Sequence, residues 1–349
     1  MFKTYLQQAI NGKMFSEEEA QSLMNDIMLG KATSSQIASL LTILELRGCS
    51  VDEITGFAKS MRKHATPVSH NEKMIFDTCG TGGDGSSTFN ISTTVAFILA
   101  AKGIPVAKHG NRSVSSNSGS ADALEKLGVP IQSTPEEAAK QLKKHHMCFL
   151  YAPLYHASIK HAVKPRKEIG FRTVFNLLGP MTNPARAQYQ LLGVYNHSLA
   201  EKIAEALHRL GTKRALLVTG RDGLDECSIS TATDIVELNK GKITRFAIRP
   251  EEVGLKQGDN DEIKVSTIDE SAALMLQVLK GDAPESAINI VLLNAGAALY
   301  TAGVAETIAE GVHEARKVIH NGDALRKLNQ MAAQGGMHRA QQNFTAEAN

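Results

Sequence analysis

The chain has 349 residues, 42% of them hydrophobic and 21% charged, with a formal net charge of +2. That is the composition of a soluble globular protein with room for one large core, or for a large domain beside a small one. Nearly balanced charge leaves no global field to draw in nucleic acid or an anionic membrane, so any basic function must be local. The N-terminus has no signal-peptide core, and no stretch approaches the roughly 20 apolar residues of a membrane span. Cys49, Cys79, Cys148 and Cys227 lie far apart with no CxxC pair. This speaks against a zinc site or disulfide scaffold and suits a reducing, cytoplasmic setting.

The first 65 or so residues carry only helical signals. Ser16-x-x-Glu19, Thr33-x-x-Gln36 and Ser50-x-x-Glu53 are successive capping boxes, each opening an apolar-periodic run. Phe15 stands where it can staple the first of these helices, and Gly30 and Gly48 stand where helices should stop. From Lys73 short runs rich in valine, isoleucine and leucine alternate with helical patterns. Strands are predicted at 74–79, 104–109, 147–151, 189–195 and 214–220, and helices at 93–101, 120–127, 135–145 and 198–210. The fold class expected is therefore α/β: a small all-helical domain hinged to a larger α/β domain with a mostly parallel central sheet. The domains expected are 1–70 and 71–349. Residues 234–248 read as a hairpin turning at Lys240-Gly241, and the last 70 or so residues are helical again before a polar tail after about 336. Residues 163–188, with three prolines and two glycines, suit a crossover between the two units.

"DTCGTGGDGSSTFNIST" (77–93) contains Gly80-x-Gly82-x-x-Gly85, a dinucleotide fingerprint. In that motif a helix follows the last glycine at once, and an acid about 20 residues on holds the ribose. Here the helical pattern starts only near Ser92, and no acid occurs from Gly85 to Ala121. The same absence favours another anion. Glycines let backbone N–H groups approach it, and Ser92 and Thr93 add hydroxyls beside a positive helix end. A second such loop, "KHGNRSVSSNSGSADALEKLG" (108–128), follows the next strand. Both turns would meet at the carboxyl edge of a parallel sheet, where open α/β folds bind ligands. Asp84 is out of place beside phosphate and suits a hydroxyl, an amine or a metal ion. Asp225 and Glu226 read either as a solvated turn or, beside a polyphosphate, as Mg²⁺ ligands. Arg166 can grip a carboxylate through two parallel hydrogen bonds, or stand solvated beside Lys164 and Lys167. His145, His146, His156 and His161 read as surface or satisfied core positions.

"GTGGD" (80–84), "NIST" (90–93), "KHGNRSVSSNSGSAD" (108–122), "RKEIGFRTVFNLLGPMTNP" (166–184) and "GLDE" (223–226) resemble the motif series of the anthranilate phosphoribosyltransferases. The resemblance runs in order across nearly the whole chain. It implies transfer of a phosphoribosyl group from 5-phosphoribosyl 1-diphosphate (PRPP) to anthranilate in tryptophan biosynthesis, with Mg²⁺. By that resemblance Gly80, Gly83, Asp84, Thr88, Asn90, Ile91, Ser92, Thr93, Lys108, Ser116 and Ser120 hold the sugar diphosphate. Ser92, Asp225 and Glu226 serve the metal. Gly80, His109, Asn111 and Arg166 meet anthranilate, and Lys108 and Asp84 support the transition state without any strong general base. Tyr151 and Ala157 stand where the family pattern has phenylalanine and proline. The resemblance also implies a homodimer joined through the helical part, with any anthranilate synthase partner a separate chain. It implies no nucleic-acid or membrane partner. The alternatives on the same fold are a pyrimidine nucleoside phosphorylase, which needs a lysine-rich phosphate loop, and a non-catalytic nucleic-acid binder, which needs a basic surface.

Overall fold

The structure is a computed structural model and describes residues 2–113 and 118–333. Four helices open the chain: α1 (Phe2–Ile10), α2 (Glu17–Met28), α3 (Ser34–Arg47) and α4 (Val51–His64). All three capping boxes form, with Ser16, Thr33 and Ser50 each accepting from the third helical N–H while Glu19, Gln36 and Glu53 reach back. Glu53 does more than cap. Fully buried, it also accepts from Phe15 N at 3.0 Å and pairs with the Arg47 guanidinium, tying the start of α2 to α4. Phe15 itself is buried edge-on against Tyr5 at 5.5 Å.

The second unit is built on β1 (Phe76–Gly80), β2 (Val106–Gly110), β3 (Met147–Tyr151), β4 (Tyr189–Gly193), β5 (Arg214–Gly220), β6 (Thr233–Asn239) and β7 (Lys242–Ile248). Their order is β3-β2-β1-β4-β5-β6-β7, parallel through β5 and antiparallel for the last two pairings. Lys240 and Gly241 both take positive φ at the hairpin tip, as the sequence predicts. Between and after the strands lie α5 (Ile91–Ala101), α6 (Ser120–Lys126), α7 (Pro135–His145), α8 (Ala152–Tyr155), α9 (Lys160–Ile169), α10 (Val174–Leu178) and α11 (Ala200–Arg209). The chain then continues as α12 (Ile268–Lys280), α13 (Glu285–Thr301) and α14 (Ile308–His320). The predicted crossover is a helix broken at Gly170, which takes positive φ, with Pro165 inside α9.

Among the described residues the two larger of three buried apolar clusters flank the sheet. On one face α5 and α13 bury against the strands together with α12 and α14. This explains why α5, "ISTTVAFILAA", is apolar all round. Each large side chain so buried contributes about 1.5–3 kcal/mol. On the other face the helical unit, α10 and α11 share one cluster with Leu192, Leu217 and Val236 of the sheet. Among the described residues no helix is long and apolar enough to cross a membrane.

Candidate active site

In the sheet, successive parallel strands run outward from β1 to β3 on one side and from β4 to β5 on the other. The order therefore reverses between β1 and β4, and the crevice beyond the carboxyl ends there is where such folds take ligands. The loops after β1, β2 and β5 all open onto that edge.

The glycine loop leaves β1 at Gly80. Thr81 N donates to Gly193 O at 2.9 Å, and Gly82 N donates to Asp225 Oδ2 at 2.8 Å. Gly82 and Gly83 both have positive φ, 65° and 80°, which lets the backbone double back toward the acid turn. A Cβ on Gly80 would stand 2.6 Å from Asp225 Oδ2, and one on Gly193 would stand 1.5 Å from Asp225 O. Only bare backbone admits the acid turn this closely. Asp84 accepts from Ser86 N and Oγ and, at 3.4 Å, from Asp225 N. Thr88 pairs with Lys264 in an isolated antiparallel bridge, fixing the far limb of the loop.

At the start of α5, Ile91 is buried, Ser92 faces Lys108, and Thr93 Oγ1 is buried without a hydrogen-bond partner. Lys108 is 2% exposed and donates to Thr78 O at 2.5 Å and Ser92 Oγ at 3.2 Å. Burial lowers its pKa, and Asp77, Cys79 and Glu226 partly offset that. Asp77 is fully buried, accepts from His109 N and from Asn183 Nδ2, and is pushed up to about 6 by burial, with Lys108 opposing. Asn90 Nδ2 joins the two loops by donating to Ser118 Oγ at 2.9 Å and Ser271 Oγ at 2.8 Å.

In the second loop, Asp122 accepts from Ser113 N and Gly119 N and pairs with Arg112. Ser120 Oγ donates to Asn111 O at 3.3 Å, while Asn111 itself is exposed. Gly110 leaves room for Ser120, whose Oγ would meet a Cβ there at 2.2 Å. Ser116 lies outside the described residues.

Asp225 and Glu226 are half-buried, so the solvated-turn reading does not hold. Burial and then Asp84 push Asp225 up to about 7; burial and then Asp225 push Glu226 well above the carboxylate range. Three acids thus converge with one buried lysine nearby. Asp222 holds their turn by accepting from Ser228 and Ser230 hydroxyls, Asn260 Nδ2 and Leu224 N. Among the described residues no group of three or more His, Cys, Asp or Glu closes into a metal cage. Two carboxylates with the Ser92 hydroxyl suit instead a hard cation that keeps most of its water.

Arg166, on α9, corrects the solvated reading. It is half-buried with its guanidinium 5.0 Å from the Phe175 ring, and burial lowers its pKa. Among the described residues it has no acidic partner and no bond to the sheet edge. His156 is a second correction: it is buried, but not satisfied. Its ring lies 5.1 Å from that of His109, and Nε2 of each is buried without a partner. Burial, then His156, lowers His109 to about 3; burial lowers His156 to about 4, so both are neutral. His145 also buries an unpartnered Nε2, away from these residues in the fold on α7. Asp77, Asn183 and Gly193 escaped the sequence reading. Asp77 opens the very stretch that prompted it, and its position three residues before Gly80 was the available signal.

Loops rich in N–H and hydroxyl donors facing paired acids, on an α/β sheet with a helical bundle attached, define a glycosyl transferase. Residues 72–325 match the glycosyl transferase family a/b domain, and residues 3–65 match the helical bundle domain of the same family. The anthranilate phosphoribosyltransferase of Halalkalibacterium halodurans is 55% identical over 341 residues, 97% of this chain and 100% of that protein. The crystal structure of the Thermus thermophilus anthranilate phosphoribosyltransferase superposes with a TM-score of 0.89 at 41% identity, covering 94% of this chain and 98% of that one. The Saccharomyces cerevisiae enzyme in complex with PRPP and Mg follows at 0.88 and 26%, covering 96% and 98%. The chain belongs to the anthranilate phosphoribosyltransferase family. Neither the nucleoside phosphorylase nor the nucleic-acid-binding alternative is favoured.

Proposed function

We propose that this enzyme transfers the 5-phosphoribosyl group of PRPP to the amine of anthranilate, giving N-(5-phosphoribosyl)anthranilate and pyrophosphate. The observation that carries the reading is the meeting, at the reversal of strand order, of a donor-rich glycine loop, a buried lysine and a half-buried acid pair. Gly80, Gly83, Asn90, Ser92, Thr93 and Lys108 are assigned to the sugar diphosphate. The unpartnered Thr93 hydroxyl supports this, because a buried polar group without a partner is costly unless a ligand completes it. Ser116 and Ser120 extend the same assignment to the second loop. Asp225, Glu226 and Ser92 are assigned to Mg²⁺, which supplies positive charge against the pyrophosphate. Anthranilate is assigned to Arg166 through its carboxylate, with Asn111, His109 and Gly80 about its ring and amine.

In the reaction the bond from the anomeric carbon to the pyrophosphate oxygen breaks, and its electron pair leaves with the pyrophosphate. The amine lone pair forms the new C–N bond, and the nitrogen then sheds a proton. Among the described residues the Lys108 ammonium donates to Thr78 O and Ser92 Oγ, and its third N–H is assigned to the leaving group. The main tasks are to stabilise departing charge and to position a nucleophile that is already neutral. Neutral His109 and His156 fit this, since neither puts a cation beside the amine. Asp84, hydrogen-bonded to Ser86, is assigned to substrate hydroxyls or amine at the mouth of the site. We further assign the domain boundary to about residue 70, the segment 163–188 to the helical unit, and a homodimer to that unit, which light scattering on the purified protein tests.

The experiment is the decay of anthranilate fluorescence when the protein meets PRPP with and without Mg²⁺. Magnesium-dependent loss, abolished in Asp225→Ala with Glu226→Ala, is the expected result. Steady fluorescence with folded protein refutes the assignment.

A further inference from the structure

We infer that Arg172 is a positioning residue: its guanidinium fastens the glycine loop, through the carbonyl of Gly83, to the linker that packs with the helical bundle. The inference rests on the reading of that loop as the PRPP site.

The loop is inherently loose. Gly82, Gly83 and Gly85 all sit at positive φ, and glycine backbone loses more freedom on ordering than any other. A loop meant to present N–H groups to a diphosphate therefore needs ties from outside. Its near end is held by the sheet, through Thr81 N to Gly193 O at 2.9 Å and Tyr195 N to Thr81 Oγ1 at 3.0 Å. Its middle is held by Asp225 Oδ2 on Gly82 N, but that oxygen belongs to a carboxylate assigned to the metal. Further out the tie is Arg172 Nη1, which donates to Gly83 O at 2.8 Å.

Arg172 is itself aimed. Its guanidinium carbon lies 4.5 Å from the centre of the Tyr195 ring, a stacking distance that restrains an otherwise mobile side chain. Its Cδ would stand 3.1 Å from a Cβ at Gly83, so the side chain lies directly against that glycine. Arg172 immediately precedes Thr173 and Asn176, the pair that caps α10, and Asn176 Nδ2 also reaches Thr81 O at 3.5 Å. Val174, Phe175 and Leu178 of α10 bury in the same core as α2, α3 and α4. The position of the helical bundle is thereby transmitted to the backbone that faces the diphosphate. A guanidinium bond to a carbonyl at the solvent-exposed rim contributes little to folding, so its conservation of loop shape should register in substrate binding.

The test is steady-state kinetics of Arg172→Ala, Arg172→Lys and Arg172→Gln, with melting temperatures. In Arg172→Ala the KM for PRPP should rise about tenfold, the factor set by about 1.4 kcal/mol. The KM for anthranilate, kcat and the melting temperature should hold. Lys and Gln can still donate to Gly83 O and should recover part of the loss, which a purely structural role would not produce. An unchanged KM for PRPP, an equal rise for both substrates, or a fall in kcat alone overturns the inference. Wild-type protein in the same assay separates the two readings: if it is inactive the function assignment fails, whereas an active wild type with an indifferent Arg172 variant sinks only this inference.

Discussion

Gly193→Ala adds a single methyl group at the end of β4. Gly193 has no positive φ, so alanine suits its backbone, and the whole effect is steric. The new Cβ would stand 1.5 Å from Asp225 O and 2.6 Å from Asp225 C. Since a Cβ essentially never approaches another heavy atom closer than 3.0 Å, the carbonyl must retreat by at least 1.5 Å, the difference of the two distances. A carbonyl cannot swing aside as a side-chain tip can. The turn must move as a body, carrying Asp225 and Glu226 with it and breaking the Asp225 bond to Gly82 N. Overpacking of this kind costs about 1–3 kcal/mol of stability, and displacement of a catalytic group by about 1 Å costs on the order of a hundredfold in rate.

The variant should therefore fold, with a modestly lower melting temperature by circular dichroism. Its kcat/KM in the anthranilate fluorescence assay should be lower by about a hundredfold or more. It should also need much more Mg²⁺ to reach half its maximal rate. A Gly193→Ala protein with wild-type kcat/KM and wild-type Mg²⁺ dependence would show that the close seat of the acid turn on β4 is irrelevant to turnover.

Arg166→Ala removes the carboxylate fork, and a charge-assisted bond of about 2–3 kcal/mol corresponds to a rise of roughly 30- to 150-fold in the KM for anthranilate. The KM for PRPP should hold; equal effects on both substrates would contradict the assignment. In differential scanning fluorimetry, Mg²⁺ with PRPP at a hundred times its dissociation constant should stabilise wild-type protein by about 2.7 kcal/mol, and Asp225→Asn with Glu226→Gln should abolish the shift. The histidines give a signed pH effect. His156 titrates at about 4 in the fold, against about 6.5 when unfolded. Between those values the unfolded chain binds more protons, so this contribution is present above pH about 6.5 and is lost as pH falls toward 4. Urea melts at pH 7 and pH 5 should differ by about 2 kcal/mol less in His156→Asn than in wild type. An unchanged difference refutes the burial of a neutral imidazole there.

What the sequence discloses is local or periodic. Capping boxes announce α2, α3 and α4 because Ser or Thr and Glu or Gln three residues apart satisfy each other's backbone partners wherever the chain lies. The strands at 147–151 and 214–220 appear as predicted, since buried parallel strands are uninterrupted apolar runs. The strand predicted at 189–195 ends at Gly193, a residue that must be bare to seat Asp225. Such pairings are set by tertiary contact, and no spacing in the sequence announces them. The same holds for His156, which lies 47 positions from His109 in sequence and beside it in space. Arg166 was ambiguous for a related reason. Lys164 and Lys167 make it look solvated, and only the position of Phe175 shows that its guanidinium is drawn inward.

The acid turn makes the same point about energetics. Burial and then Asp84 raise the pKa of Asp225, and burial and then Asp225 raise that of Glu226, so at neutral pH the ionised forms of these two work against folding. For Asp225 that cost is present above about pH 7 and is relieved as pH falls through its folded value toward the ordinary carboxylate range. A protein selected for stability alone would replace one of them with an amide. Their retention in a tightly packed turn, held by Asp222 and seated on two glycines, is the local conflict expected where a ligand supplies the missing charge. Asp225→Asn should therefore raise the melting temperature of the protein without Mg²⁺ while removing its activity. A variant both less stable and inactive would mean that the carboxylate is needed for the fold itself, as the acceptor for Gly82 N, and not for the cation.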